Sequence, residues 1–62
     1  MYENLKTAIE SKGISKYRLA KLSNIHTPDL YQALNGKKPF YPSWKKRIAA
    51  ALEIPEEELF KN

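Results

Sequence analysis

The amino-acid sequence predicts an all-α fold built from five short helices. Apolar residues recur at the three- and four-residue spacings of an α-helix in successive segments. Residues that commonly start or end helices separate these segments, and no segment of any length is predicted as a strand. With 62 residues, residues 1–62 are expected to form one domain of modest stability, because so short a chain buries only about 60% of its unfolded surface.

The first helix is predicted over about Tyr2 to Lys12. Its inward stripe consists of Leu5, Ala8 and Ile9, with Met1 or Tyr2 one turn earlier. Gly13 is expected to end the helix in a left-handed conformation, and Ile14 then folds back as the hydrophobic contact that follows such an ending.

The stretch from Lys16 to Gly36 is predicted to form two short helices joined by a tight turn. Ser15 is expected to cap the first of them, and Asn24 to end it, because asparagine tolerates left-handed backbone angles. Ile25 is the apolar residue of the turn. The inward residues of this second helix are predicted to be Leu19, Ala20 and Leu22.

The third helix, over about 28–35, has several start signals. Thr27 is predicted as its cap, Pro28 as its first helical residue and Asp29 as a partner for the positive end of the helix dipole. Asn35 and Gly36 are expected to end it. The spacing predicts that Leu30, Ala33 and Leu34 face inward, whereas Asp29 and Gln32, with Pro28, Tyr31 and Asn35 at the edges, face outward.

A loop is predicted over 37–42, because it contains two prolines in six residues and has no periodicity. Its two lysines directly follow the outward face of the third helix. Phe40 is expected to cover the core, since it has no hydroxyl group, whereas the hydroxyl of Tyr41 can hydrogen-bond a phosphate.

The fourth helix is predicted to be capped by Ser43 and to turn Trp44, Ile48, Ala51 and Leu52 inward. Its consecutive basic residues, Lys45, Lys46 and Arg47, spread around the helix and are expected to be mostly solvated. A fifth helix is predicted from Ile54 and Pro55, with three glutamates in its first turn that suit the helix dipole. Leu59 and Phe60 either complete the core or form part of a subunit contact.

The net charge of +4 is unevenly distributed along the chain. Residues 1–52 contain ten lysines and arginines against three acidic residues, a net of +7, whereas residues 53–62 contain one lysine against four glutamates, a net of −3. A basic excess around the two-helix stretch favours a polyanionic partner, because neutralising phosphates releases condensed counterions. Surplus surface lysines that only keep the domain in solution are the alternative interpretation.

Several classes of protein are disfavoured by the composition. The chain has no cysteine, one histidine and no glycine-rich phosphate loop, so no enzyme, metal site, cofactor or small-molecule ligand is predicted. Its longest apolar run, 48–52, is far below the roughly 20 residues that span a bilayer. The charged N-terminal stretch differs from a signal peptide, and a cytoplasmic location is therefore expected.

The stretch from Ala20 to Ala33 resembles the helix-turn-helix of the phage repressor and Cro family. The resemblance rests on Ala20, Asn24, Ile25, Leu30 and Ala33 at the spacing of that motif, with the flanking text SKGIS, NGKK and PSWKKRIAAALEIPEEELF. It covers nearly the whole chain. Two positions differ, because the family usually has glycine at Asn24 and often at Glu53. The resemblance implies a five-helix, lambda-repressor-like DNA-binding domain with its helix-turn-helix at helices 2 and 3.

The resemblance also implies which side chains would contact DNA, because in this family helix 3 enters the major groove while helix 2 crosses the backbone. Base contacts are expected from Thr27, Pro28, Asp29 and Gln32. Of these, Gln32 is the strongest candidate, since its amide can pair bidentately with adenine, and Asp29 is a candidate for cytosine. Backbone contacts are expected from Lys16, Tyr17, Tyr31, Asn35, Lys37, Lys38 and Tyr41.

The function predicted from these observations is that of a sequence-specific double-stranded DNA-binding transcriptional regulator of phage or mobile-element type, most simply a repressor. It is expected to bind a partly palindromic operator as a homodimer, since one helix contacts only a few base pairs. The family's subunit contact implies dimer residues at Glu53, Ile54, Pro55 and Phe60. The alternative is a protein-interaction module, such as an antitoxin-like or accessory subunit with the same fold.

Overall fold

Residues 2–61 are described by a computed structural model, in which they form five α-helices and no strand. The helices are α1 (Glu3–Lys12), α2 (Lys16–Ser23), α3 (Thr27–Leu34), α4 (Pro42–Leu52) and α5 (Glu56–Leu59). The all-helical class predicted from the sequence is confirmed for this part of the chain. None of these helices combines the length and the apolar character needed to cross a membrane.

The core is assembled from all five helices. α2 packs against α3 and α4, whereas α1 packs against α4 and α5. Six large side chains are at most 1% exposed: Leu5, Leu19, Leu30, Ile48, Leu52 and Leu59. The resulting body measures 23 × 22 × 18 Å. This arrangement buries one stripe of every helix and leaves the opposite stripe of each to the surface.

Three helices end in a left-handed residue, and the sequence signals predict two of these endings, at Gly13 and Asn24. Gly13 has φ 67°, Asn24 has φ 57° and Glu53 has φ 58°, and each donates its backbone N–H to a carbonyl in the last turn of the preceding helix. Asn24 and Glu53 are the two positions where the resemblance leads one to expect glycine, and both adopt the conformation that glycine adopts most easily.

The inward stripe of α2 differs from the prediction at one residue. Leu22 is 50% exposed, whereas Ser23 is 2% exposed, so the prediction that Leu22 faces inward is wrong. Ser23 can be buried because its hydroxyl donates a hydrogen bond to the carbonyl of Leu19, which satisfies the polar group inside the core. Leu19 and Ala20 are fully buried, as predicted.

The predicted caps at two proline-containing helix starts are also wrong. α3 begins at Thr27 with His26 in the cap position, and α4 begins at Pro42 with Tyr41 in the cap position. Neither helix start receives a side-chain cap hydrogen bond, so neither Thr27 nor Ser43 is a cap. A proline in the first turn has helical φ and lacks one of the unpaired donors, so the helix can begin without a capping hydroxyl.

The first helix differs only at its start, since Tyr2 precedes α1 instead of beginning it. Its buried residues are Leu5, Ala8 and Ile9, as predicted. The alternative that placed Met1 on this stripe lies outside the described residues.

An aromatic cluster joins the start of the chain, the loop before α4 and the end of α5. The rings of Tyr2, Phe40 and Phe60 lie 5.1–5.7 Å apart between centroids, and the ammonium group of Lys45 lies 5.8 and 5.5 Å from the Tyr2 and Phe60 rings. Phe40 therefore packs against the core, as predicted. Of the three basic residues of which most are predicted to be solvated, Lys46 and Arg47 are exposed, whereas Lys45 lies over this cluster and is half-buried.

Capping at α2 provides the first testable prediction. The Ser15 hydroxyl accepts a hydrogen bond of 3.0 Å from the backbone N–H of Arg18. We expect Ser15→Ala to lower the free energy of unfolding by about 1 kcal/mol, because a first-turn donor loses its acceptor. Thermal unfolding followed by far-UV circular dichroism would measure this as a fall in Tm of roughly 4–8 °C.

The matched control is Ser43→Ala. Ser43 lies inside the first turn of α4 and makes no cap hydrogen bond, so this substitution should change the free energy of unfolding by less than about 0.5 kcal/mol. Equal losses of stability in the two variants would contradict the assignment of Ser15 as a cap and of Ser43 as a residue that caps no helix.

Candidate nucleic-acid interface

Helix α3 has one buried face and one surface face. Leu30, Ala33 and Leu34 are 0–4% exposed, so they anchor the helix in the core. On the other face Pro28, Gln32 and Asn35, just beyond the helix end, are exposed, and Tyr31 is 41% exposed. The prediction that Gln32 and Tyr31 face outward is confirmed, since both residues are exposed.

The start of α3 is uncapped and partly open. Thr27 is half-buried, and Pro28, in the first turn of the helix, has no backbone N–H to offer. The first-turn N–H groups of an α-helix have no acceptor within the helix, and no side chain caps them here. This end of the helix therefore has no side-chain cap for its backbone donors, and Asp29 lies in the same turn, at the positive end of the dipole.

Asp29 and Lys38 form an ion pair across this surface. The ammonium nitrogen of Lys38 donates a hydrogen bond of 2.8 Å to Oδ1 of Asp29. Both side chains remain more than a third exposed, at 38% for Lys38 and 37% for Asp29. The sequence predicted a base contact for Asp29 and a phosphate contact for Lys38 separately, whereas the folded chain brings the two together.

The pair shifts the pKa of both partners. The hydrogen bond from Lys38 lowers the pKa of the Asp29 carboxyl, with a smaller contribution from the charge of nearby His26. The same hydrogen bond raises the pKa of Lys38, and Tyr41 adds to the rise. The contribution of Asp29 to stability is thus present above its ordinary pKa of about 3.9 and is lost as the pH falls through the lowered value. The contribution of Lys38 is lost only as the pH rises through its raised pKa, so the pair is closed at neutral pH.

The loop after α3 folds back on that helix. The backbone N–H groups of Lys37 and Lys38 both donate to the carbonyl of Gln32, at 2.8 and 3.3 Å. Gly36 makes this reversal possible with φ 81°, a left-handed angle that other residues adopt at a cost. Lys37 is exposed and forms no ion pair with any other residue of the range 2–61. Its charge is consequently carried next to the surface face of α3.

Two further residues that are predicted to contact the DNA backbone belong to α2. Lys16 is the first residue of the helix and is exposed, close to the N-terminal end that favours anions. Tyr17 is 54% exposed, and the ammonium nitrogen of Lys21 lies 5.2 Å from the centre of its ring. Tyr41, another predicted contact, is 45% exposed and packs edge-on against Trp44.

Arg47 is exposed, as predicted, and it also binds the turn between α2 and α3. Its guanidinium Nη1 donates a 3.0 Å hydrogen bond to the carbonyl oxygen of Asn24. The bond joins residues 23 positions apart, so no local pattern of the sequence signals it. By holding this turn against α4, Arg47 helps to fix the position of α3 relative to the rest of the domain.

The predicted dimer residues lie at the junction of α4 and α5 and at the end of α5. Glu53 and Pro55 are exposed, whereas Ile54 and Phe60 are half-buried against the domain's own core. Phe60 is largely engaged in the aromatic cluster with Tyr2 and Phe40. The exposed parts of this junction are therefore Glu53 and Pro55.

Comparisons of the chain with models of known protein families, with curated proteins and with solved structures each found no match. The class that the structure establishes for residues 2–61 is a compact all-helical fold of five helices. The function is therefore argued from the geometry and chemistry of the surface around α3.

Proposed function

We propose that this protein is a sequence-specific double-stranded DNA-binding transcriptional regulator of the phage repressor and Cro type. In this proposal α2 and α3 form a helix-turn-helix. One observation carries the proposal. The face of α3 centred on Gln32 is polar and exposed, whereas the opposite face of the helix is buried in the core. A lysine-bearing loop that folds back on the same helix flanks this face.

The dimensions of α3 suit the major groove. That groove is about 12 Å wide, which matches the 10–12 Å diameter of a helix with its side chains. An eight-residue helix is roughly 12 Å long, which corresponds to about three or four base pairs at 3.4 Å per base pair. In such an orientation the first helix of the motif crosses the phosphate backbone, which would place the start of α2 beside phosphates.

The contacts divide into base and backbone groups. Gln32 is the principal base contact, since its amide can donate to N7 and accept from N6 of adenine, while the Thr27 methyl and the Pro28 ring can contact the thymine methyl. Lys16, Lys37 and the hydroxyl groups of the exposed tyrosines are suited to phosphates. Asn35, exposed at the end of α3, is a further phosphate contact in this arrangement.

Binding as a homodimer follows from the small footprint. Three or four base pairs supply little discrimination, and a second copy one helical turn along the duplex doubles the base contacts. The exposed junction of α4 and α5, at Glu53 and Pro55, is the proposed subunit contact. The operator would then be partly palindromic, because a two-fold dimer presents the same face to both half-sites.

The salt dependence of binding to mixed-sequence duplex tests the proposal. We expect affinity at low salt that falls steeply as salt increases, because bound lysines and arginines release counterions. Lys37→Ala should lower the slope of log K against log salt by about one, since Lys37 is exposed and has no acidic partner among the described residues. Fluorescence anisotropy with a labelled duplex at several salt concentrations measures both quantities.

The control for that experiment is Lys61→Ala. This exposed lysine lies beyond α5, in the acidic part of the chain, and its loss changes the net charge by the same amount. The slope should remain that of the wild-type protein. If no binding to duplex is detected at low salt, the proposed function is wrong.

A protein-interaction module is the second candidate function. It is favoured by Leu22, a large aliphatic side chain that is half exposed on the surface of α2. This candidate is supported over the first if the protein does not bind DNA but retains a partner protein. Leu22→Asp should then abolish the retention of that partner.

A further inference from the structure

We propose that Asp29 and Lys38 act as a positioning pair on the DNA-facing surface. Asp29 holds Lys38 and its loop against α3 and neutralises the charge of Lys38. In this role Asp29 contacts no base and Lys38 contacts no phosphate. The inference rests on the proposed DNA-binding function, and it assigns two of the predicted contact residues to a different task.

The loop after α3 is tied to the helix twice, by the two backbone hydrogen bonds to the Gln32 carbonyl and by the 2.8 Å bond between Lys38 and Asp29. The backbone bonds lie toward the C-terminal end of α3, whereas Asp29 lies in its first turn. The Lys38 side chain thus extends back along the helix, and its charged end is at Asp29 and not on the outer edge of the loop.

An unpaired carboxylate beside the phosphates of a groove is repelled by them, and a lysine within hydrogen-bond distance cancels most of that repulsion. The paired charges together contribute little to the attraction of the phosphates. The neighbouring Lys37 has no acidic partner within the described part of the chain, so it retains its full charge toward the DNA.

Among the described residues, no second acidic side chain accompanies the pair. His26 lies close enough to lower the pKa of Asp29, and Tyr41 close enough to raise the pKa of Lys38. No other ion pair is present among the described residues. Removing either partner therefore leaves the other charge uncompensated, and the two removals should have opposite effects on DNA binding.

Three variants measure this coupling by anisotropy on mixed-sequence duplex. Asp29→Asn keeps the shape of the side chain and frees Lys38, so affinity should rise about three- to tenfold and the salt slope should steepen by about one. Lys38→Ala leaves Asp29 unpaired, so affinity should fall by about tenfold. The double variant should bind within about threefold of the wild-type protein, because both changes cancel. Glu57→Gln, on α5, is the control for loss of one negative charge.

A selection of random duplexes distinguishes positioning from base contact. A positioning role predicts that wild-type protein and Asp29→Asn select the same operator. If Asp29→Asn binds more weakly, or changes the preference at one base pair, Asp29 contacts a base and the inference is overturned. It is also overturned if the double variant binds as weakly as Lys38→Ala, since Lys38 is then a phosphate contact in its own right.

The pair can be tested without DNA as well. The pKa of the Asp29 carboxyl, followed by NMR, should be low in the wild-type protein and ordinary in Lys38→Ala; identical titration curves would overturn the inference. Failure of the proposed function has a different signature. In that case the wild-type protein and all variants fail to bind duplex at low salt, which removes the DNA-binding role of the pair whatever the titration shows.

Discussion

Leu30→Ala is expected to remove about 3–5 kcal/mol from the free energy of unfolding. Leu30 is fully buried at the centre of α3, and truncation leaves a cavity that the surrounding helices fill only in part. A 62-residue domain has a total stability of roughly 3–9 kcal/mol. The variant should therefore lose about a third or more of the total stability, which urea denaturation followed by far-UV circular dichroism would measure as a large fall in the midpoint.

The matched control is Leu22→Ala, which makes the same substitution on the neighbouring helix. Leu22 is half exposed, so less apolar surface is lost, and alanine has the higher helix propensity. We expect a change of less than about 1 kcal/mol. If Leu22→Ala proved as damaging as Leu30→Ala, the orientation of α2 described above would be incorrect.

Gln32→Ala is expected to abolish discrimination at one base pair of each half-site without affecting the fold. A bidentate amide contact to adenine contributes about 1–3 kcal/mol of discrimination, which corresponds to roughly five- to 150-fold in relative affinity. Competition between the selected operator and duplexes carrying each alternative base pair would measure the loss. Gln32 is exposed, so the Tm of the variant should stay close to that of the wild-type protein.

Lys37→Ala provides the comparison for Gln32→Ala. A phosphate contact carries no sequence information, so this variant should weaken binding to every duplex by a similar factor. If Gln32→Ala weakened binding to all duplexes equally, Gln32 would contact the DNA backbone. The proposed orientation of α3 in the groove would then need to be rotated about the helix axis.

The positions of the helices follow from local signals in the sequence. The bounds of α1 to α4 lie within about two residues of the prediction, because apolar spacing and left-handed exits at Gly13 and Asn24 involve only neighbouring residues. The inward side of α3 was predicted in full. Leu30, Ala33 and Leu34 occupy one stripe, and no other face of that helix is apolar enough to replace it.

The residues at the edges of the buried stripes, and the residues that start the helices, were predicted less accurately. In the eight-residue helix α2, Leu22 and Ser23 lie next to each other, and hydrophobicity alone selects the leucine for burial. The packed core buries the serine because a hydrogen bond to the Leu19 carbonyl satisfies its hydroxyl. At α3 and α4 the sequence predicts caps at the hydroxyl groups of Thr27 and Ser43, although proline already suits the first turn.

By itself the sequence determined the helical class, the order of the helices and the outward position of Gln32, because each depends on residues within one or two helical turns. Only the tertiary structure paired Lys38 with Asp29, joined Arg47 to Asn24 and gathered Tyr2, Phe40 and Phe60 into one cluster. These contacts join residues nine to 58 positions apart. Their partners are selected by how the helices pack, which no local spacing encodes.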